Sequence, residues 1–95
     1  MNLTSLHSTT KAVSAIPLFK NEFTATVAIQ LLKNEILKEH ITKVPALLIC
    51  VMGEVVFDNE KNERKTLLSG DYIEIEPMVK HWVEGVVTSQ LVLIK

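Results

Sequence analysis

The feature that most restricts the fold is an alternation of apolar and polar residues over residues 22–31. The apolar positions are Phe23, Ala25, Val27, Ile29 and Leu31. The positions between them are polar except for Ala28. Because successive side chains of a strand point to opposite faces, this pattern predicts a strand with one buried face.

Other short apolar segments predict further strands with turns between them. Residues 45–57 are apolar and rich in valine, with Gly53 as an interruption. Polar residues 58–64 predict a hairpin connection, and Pro77 ends an alternating segment that contains Ile73 and Ile75. Residues 81–87 and 90–94 predict two more strands, whereas Pro17 makes residues 13–19 an edge strand or an irregular arm. Seven or eight short strands at this spacing predict an all-β sandwich or barrel.

Residues 30–41 fit two different structures. Ile29, Leu32, Ile36 and His40 have the spacing of one helix face, and the segment is rich in helix-forming residues. The alternative is a turn at Lys33–Asn34 followed by a strand over residues 36–42. Asn is one of the few residues other than Gly that tolerates the left-handed conformation of such a turn.

The size of the chain predicts a single domain, and its composition predicts association with a second copy of the chain. A chain of 95 residues has room for a single domain, which we place at residues 13–95 after a polar arm at 1–12. Hydrophobic residues make up 47% of the chain, more than so small a core needs, and we therefore expect a homodimer. The single Cys50 excludes an intrachain disulfide framework.

Charge and hydropathy exclude two classes of partner. Ten Lys and Arg balance eleven Asp and Glu, and the basic residues are scattered, so we expect no nucleic-acid partner. The longest apolar run, residues 44–52, is too short for a membrane helix, which needs about 20 residues. Residues 1–10 lack the pattern of a secretory signal, and we expect a cytoplasmic protein without membrane contact.

Residues 70–81 carry the first sign of a known family. Gly70 and Asp71 precede a strand, a turn with Pro77 follows, and His81 opens the next strand. This arrangement resembles the second conserved motif of the cupins. Pro77 lies one place later than in the commonest form, and the glycine usual in that turn is absent.

The first cupin motif has a counterpart in the same order along the chain. Asn34 takes the place of its first glycine, His40 the place of its first histidine, and Gly53 the place of its last glycine. Thr42 stands where the second histidine would be, and Ala46 where the glutamate would be. The resemblance spans residues 24–94 and implies a small double-stranded β-helix, the cupin or jelly-roll barrel, with strand–turn–strand at residues 30–41.

The resemblance also implies a reduced metal site. Cupins that bind a metal usually hold it with three histidines and one glutamate, and this chain keeps only His40 and His81 of the four. A threonine hydroxyl is a poor ligand for a transition metal, and an alanine methyl is none. We therefore expect either no cofactor or a weakly bound divalent transition metal, with two neutral pocket histidines as the favoured interpretation.

Two other residues could take part in chemistry. Cys50 has the same strand parity as Ala46 and could therefore face the barrel interior. There it could act as a nucleophile or as a soft metal ligand. We favour a third interpretation, in which Cys50 is a small buried core residue. His7 lies in the polar arm, where we expect it to be exposed.

Three functions remain open from the sequence. The favoured one is a binding module whose mainly apolar barrel pocket takes a small molecule. The residues expected in that pocket are His40, Thr42, Ala46, Cys50 and His81. The alternative is a metal-dependent enzyme of dioxygenase or isomerase type, with His40 and His81 as ligands and Thr42, Cys50 or Gln90 as the third. The last is an accessory dimer without a ligand.

Overall fold

Nine strands make up most of the chain in the computed structural model, which describes residues 1–95. The only helical element is a 3-10 turn at Thr4–Leu6, and no helix could cross a membrane. The strands are β1 (Val13–Lys20), β2 (Ala25–Leu31), β3 (Ile36–His40), β4 (Ala46–Met52), β5 (Glu54–Asn59), β6 (Arg64–Leu68), β7 (Tyr72–Ile75), β8 (His81–Gly85) and β9 (Ser89–Ile94).

The strands form two antiparallel sheets, which confirms the all-β barrel. The five-stranded sheet has the order β1-β2-β9-β4-β7, and the four-stranded sheet has the order β3-β8-β5-β6. The structure has nine strands, whereas the sequence predicted seven or eight. The weakest pattern is that of β6, where Leu67 is the only buried side chain and little alternation is present.

The segment after β2 is strand–turn–strand, and the helix alternative is wrong. Asn34 has a φ of 67°, in the left-handed region, and its N–H donates to the carbonyl of Gly85 at 2.7 Å. The strands on either side belong to different sheets, since β2 pairs with β9 and β3 pairs with β8. Pairing with strands distant in sequence therefore outweighs the helix propensity of this segment.

The hydrophobic core lies between the inner faces of the two sheets. Ile29 and Leu31 of β2 are buried there, as the alternation predicted. Phe23 was expected on the same buried face but is exposed, because β2 begins only at Ala25 and Phe23 lies in the turn before it. The other main core residues are Leu48, Cys50, Val55, Phe57, Val83, Leu91 and Leu93.

The strand β1 is an edge strand, as Pro17 predicted. It pairs with β2 alone, and the register shifts between Pro17 and Phe19. Proline donates no backbone hydrogen bond, so it is tolerated at an edge beside such an irregularity.

The polar arm of residues 1–12 lies against the outer face of the five-stranded sheet. The side chain of Gln30 donates to the carbonyl of Ser8 at 2.9 Å, and Gln90 donates to Gln30 at 2.7 Å. His7 Nδ1 lies 2.7 Å from Ser14 Oγ. The expectation that His7 is exposed is wrong: its ring is half-buried and its Nε2 has no hydrogen-bond partner.

Candidate functional site

The pairing of β3 with β8 brings two histidines together. His40 ends β3, His81 begins β8, and the two residues face each other in the strand register. Their ring centroids are 4.1 Å apart, with 61° between the ring planes. The two histidines that the cupin motifs single out are therefore in edge-to-face contact.

Hydrogen bonds to the backbone set the orientation of both imidazoles. His40 Nδ1 lies 2.8 Å from the carbonyl oxygen of Lys38, and His81 Nδ1 lies 3.2 Å from that of Val79. A carbonyl oxygen only accepts hydrogen bonds, so each Nδ1 carries the proton that it donates. In the neutral rings each Nε2 is therefore left with a lone pair that can accept a hydrogen bond.

His81 is enclosed by apolar and aromatic surroundings. Its residue surface is 2% exposed, and its ring stacks on Phe57 with 5.7 Å between centroids. Burial lowers the pKa of His81, the hydrogen bond to Val79 partly opposes this, and the neighbouring His40 lowers it slightly further. His81 is thus held neutral, and its buried Nε2 has no hydrogen-bond partner in the protein.

Thr42 contributes a second buried polar atom without a partner. Its Oγ1 has no hydrogen bond, while its carbonyl accepts from the N–H of Met78 at 2.8 Å. That backbone bond ties the loop after β3 to the turn between β7 and β8. An unsatisfied buried polar group costs about 1–3 kcal/mol, so the fold is weakened at these two atoms.

Ala46 and Cys50 belong to the hydrophobic core and do not line the slit at His40. Ala46 begins β4 and lines a groove at one end of the barrel together with Leu47 and Ile94. Cys50 is fully buried in the core. Burial, and then the charge of Asp71, raise the pKa of the Cys50 thiol, which therefore lacks the thiolate character of a nucleophile.

Gln90, one of the candidate third ligands, lies on the outer face of its sheet. Its side-chain amide donates to Gln30 Oε1 there. The adjacent Leu91 points into the core, so the parity of β9 turns Gln90 away from the histidines. Gln90 is therefore wrong as a candidate ligand.

A slit between the edge strands β1 and β3 leads to His40. This slit has a volume of about 410 Å³ and is mostly apolar. His81 does not line the slit, but its ring contacts that of His40, which does. The lining residues are Val13, Ile36, Leu37, Lys38 and His40.

Comparison with known proteins identifies the fold. No protein-family model matches the sequence, and no curated protein sequence matches it. A crystal structure of a cupin superfamily protein from Desulfitobacterium hafniense superposes with a TM-score of 0.87 at 14% identity, covering 98% of this chain and 84% of that chain. An RmlC-like cupin with a double-stranded β-helix fold from Methanocaldococcus jannaschii gives 0.79 at 17%, covering 94% and 84%.

This chain has the cupin fold. A conserved protein of unknown function from Streptococcus pyogenes shares it, with a TM-score of 0.84 at 16% identity, covering 99% of this chain and 82% of that chain. At identities this low the likeness concerns the fold alone. The similarity to these cupin structures confirms the resemblance expected from the two motifs. The similar S. pyogenes structure is of a protein of unknown function and therefore gives no indication of what this chain does.

The donor set of this cupin barrel does not fit a complete metal centre. No three His, Cys, Asp or Glu side chains lie together in positions that could hold a metal ion. His40 and His81 offer two imidazole donors, whereas protein zinc sites use three or four ligands. The hydroxyl of Thr42 adds only a weak donor beside them.

The turn before His81 holds a residue in an unfavourable conformation. Met78 has a φ of 65°, within the cupin turn that usually contains a glycine. A left-handed conformation costs a residue with a side chain about 1–2 kcal/mol. The side chain of Met78 is largely exposed and contributes little burial in return.

We expect Met78→Gly to leave the cupin barrel as stable as the wild type or to stabilise it by up to about 1 kcal/mol. Glycine relieves the backbone strain of the folded protein, which stabilises it, but it also makes the unfolded chain more flexible, which offsets part of the gain. Urea unfolding followed by far-UV circular dichroism measures the change. The matched control is Tyr72→Gly, at an exposed strand position with ordinary φ, which should destabilise the barrel. Equal destabilisation by both substitutions would contradict the strain at Met78.

Some contacts of this site have no signal in the residue pattern. Phe57 stacks on His81 from β5, and the backbone carbonyls of Lys38 and Val79 orient the two rings. Alternation along β5 could place Phe57 on the inner face, but its contact with His81 depends on the register between β5 and β8.

Proposed function

We propose that this cupin barrel binds a small, mainly apolar molecule that enters at the slit between β1 and β3 and extends past the His40 ring to His81, so that both histidines are its polar contacts. The observation that carries the proposal is the buried, unpaired Nε2 of His81 next to the half-buried ring of His40. Small barrels commonly hold one small ligand, bound by apolar walls and a few polar groups.

The chemistry of the site defines the ligand. Both imidazoles donate through Nδ1 to the backbone, so their Nε2 atoms accept hydrogen bonds. The ligand therefore presents a hydroxyl or N–H donor on an apolar body. Thr42 Oγ1 can accept from or donate to the same ligand. Ala46 and Cys50 belong to the core and make no polar contact with the ligand, and a divalent transition metal binds weakly or not at all.

A second candidate is the metal-dependent enzyme of dioxygenase or isomerase type. One observation favours it: histidines that bind a metal usually donate their other ring nitrogen to a backbone carbonyl or carboxylate, as His40 and His81 both do. The shortage of further ligands places it second.

The test uses untagged protein and the fluorescent probe anilinonaphthalene sulfonate, whose aromatic body carries one N–H and one sulfonate group. We expect one probe per chain, and a loss of affinity of about tenfold in His40→Ala and in His81→Ala, since each removes one buried hydrogen bond worth about 1.4 kcal/mol. The control is His7→Ala, which removes the histidine of the arm and should not change binding. Equal binding by all four proteins would refute the proposal.

Metal analysis of the same four proteins separates the two candidates. Tight metal at one ion per chain, lost in both His40→Ala and His81→Ala, would replace the binding module with the metal enzyme. Absence of metal after growth with iron, manganese, nickel, copper and zinc would rule out the metal enzyme.

A further inference from the structure

Lys38 is the one Lys, Arg, Asp or Glu residue that lines the slit. Three of the other lining residues are aliphatic, and the fourth is His40. Lys38 is exposed, so its ammonium group is accessible to a molecule that lies in the slit. The slit therefore combines an apolar surface with a single cation at its rim.

No carboxylate of the protein neutralises this cation. None of the three ion pairs in the structure includes Lys38. The neighbouring Glu39 lies 3.9 Å from Lys80 Nζ instead. Glu84 faces Ile36 in the strand register, but it does not line the slit and forms no ion pair. The positive charge at the slit is thus free to pair with an anion from outside the protein.

The backbone of β3 places this cation close to the histidine site. Adjacent residues of a regular strand point to opposite faces, yet Leu37 and Lys38 both line the slit. The register against β8 shifts between Leu37 and His40, and such irregularities re-aim side chains. The carbonyl of Lys38 also accepts the hydrogen bond from His40 Nδ1. Two residues of extended chain span about 7 Å, so the two side chains start within the length of one small molecule.

The size and chemistry of the slit restrict what can occupy it. Its volume of about 410 Å³ lies in the usual range of small-molecule sites, in which a few polar groups provide the specificity. A lysine ammonium group donates hydrogen bonds and accepts none, so it selects an anionic acceptor. The imidazole Nε2 atoms accept hydrogen bonds, so they select a donor.

We infer that the ligand of the slit is a small apolar acid that also carries a hydroxyl or an N–H group. Its carboxylate pairs with Lys38, its apolar body lies along Val13, Ile36 and Leu37, and its donor reaches an imidazole Nε2. This inference rests on the binding function proposed above and adds the class of ligand. Lys38 is then the residue that selects an anionic ligand over a neutral one of the same shape.

Two fluorescent probes that share an aromatic body test the inference. They are anilinonaphthalene sulfonate and N-phenyl-1-naphthylamine, which lacks the sulfonate. We expect Lys38→Met to weaken the binding of the anionic probe about fivefold, which corresponds to about 1 kcal/mol, and to leave the neutral probe unchanged. Lys38→Glu should weaken the anionic probe further. The control is Lys33→Met, which removes an exposed lysine outside the slit and should change neither affinity.

Displacement of the neutral probe tests the carboxylate itself. We expect 4-hydroxybenzoate to displace it at a lower concentration than the uncharged 4-hydroxybenzamide, and this preference should disappear in Lys38→Met. Added salt should weaken the binding of the acid to the wild type and have little effect in Lys38→Met, because salt screens an exposed ion pair.

The outcomes separate this inference from the proposed function. If the neutral probe binds and is weakened in His40→Ala, while Lys38→Met affects both probes equally or neither, the slit binds a neutral molecule and only the choice of an acid is wrong. If neither probe binds to the wild type, or if His40→Ala changes neither affinity, the proposed function fails and this inference fails with it.

Discussion

Replacing Gly53 with alanine should destabilise the barrel by about 3 kcal/mol or more, the sum of backbone strain and a steric clash. Gly53 joins β4 to β5 and has a φ of 111°. A Cβ atom there would lie 2.2 Å from Oγ, 2.7 Å from Cβ and 2.9 Å from Cα of Ser89. Real Cβ atoms do not approach other atoms this closely, so the backbone itself would have to move.

Ser89 cannot easily move aside for such a Cβ atom. It is fully buried, and its Oγ accepts from the N–H of Glu54 at 3.0 Å and lies 2.8 Å from the carbonyl of Val87, to which it donates. Moving it would break hydrogen bonds that hold the turns β4–β5 and β8–β9 together. The cupin motif places a glycine at this position, and the contact with Ser89 is a physical reason for it.

The matched control for Gly53→Ala is Gly70→Ala. Gly70 also has a positive φ, 92°, but an added Cβ would meet no atom within 4 Å. Its substitution should therefore cost only the strain, about 1–2 kcal/mol. Urea unfolding and thermal melts measure both, and Gly53→Ala should lower Tm by about 12 °C or more. Similar losses in the two variants would mean that the barrel accommodates the Cβ at Gly53.

The second expected result concerns His81→Leu, which should weaken ligand binding about tenfold and leave the barrel at least as stable as the wild type at pH 7. Leucine removes a buried, unpaired Nε2, which costs about 1–3 kcal/mol, but it also leaves the carbonyl of Val79 without its partner. The net gain at pH 7 should therefore be about 1 kcal/mol or less. A buried polar group that costs stability fits the trade-off between stability and function that is common at binding sites.

The gain from His81→Leu should grow at acid pH. Burial lowers the pKa of His81 in the folded protein, so the unfolded chain takes up the proton first as the pH falls. The wild type is thus fully stabilised above about pH 6.5, the ordinary pKa of an imidazole, and loses stability below it. The loss cannot exceed about 1.4 kcal/mol per pH unit, so the two proteins should diverge by up to about 2 kcal/mol between pH 6.5 and pH 5.

Urea unfolding at pH 5, 6, 7 and 8 measures this divergence. The control is His40→Leu, which keeps His81 and should keep most of the fall in stability at acid pH. His7, whose pKa is also lowered by burial, adds to the fall in every variant that retains it and cancels in the comparison. If wild type and His81→Leu lose stability in parallel from pH 7 to pH 5, His81 is not held neutral by the fold.

Much of the fold followed from residue patterns. Alternation in residues 22–31 predicted β2 and the burial of Ile29 and Leu31, and Pro17 predicted an edge strand. The turn at Asn34 could not be separated from a helix by local propensity, because Leu32 and Ile36 suit both structures. The two cupin motifs, which contain Gly53 and Gly70 and occur in the expected order, favoured strand–turn–strand over a helix. The left-handed φ of Asn34 agrees with a turn at this position.

The sequence predicted the two histidines of the site but not their surroundings. His40 and His81 were found from motif positions, whereas their contact at 4.1 Å requires the antiparallel register of β3 and β8. The pocket position expected for Ala46 rested on the motif alignment, and that of Cys50 rested on its strand parity with Ala46. Strand parity predicts on which face of the sheet a side chain lies, but not which residues of other strands pack against that face. In the structure, Cys50 packs among apolar residues of the hydrophobic core.

Most strands and turns follow from the residue pattern alone, because side-chain periodicity and turn chemistry are local properties, and the two histidines follow from their motif positions. Which polar groups are left without partners, and which apolar groups stay exposed, depends on the tertiary structure. His7 and Gln30 are covered because the arm packs on the sheet, and Phe23 is exposed because it lies in the turn before β2. Burial depends on contacts between segments far apart in the chain, and no local pattern encodes those contacts.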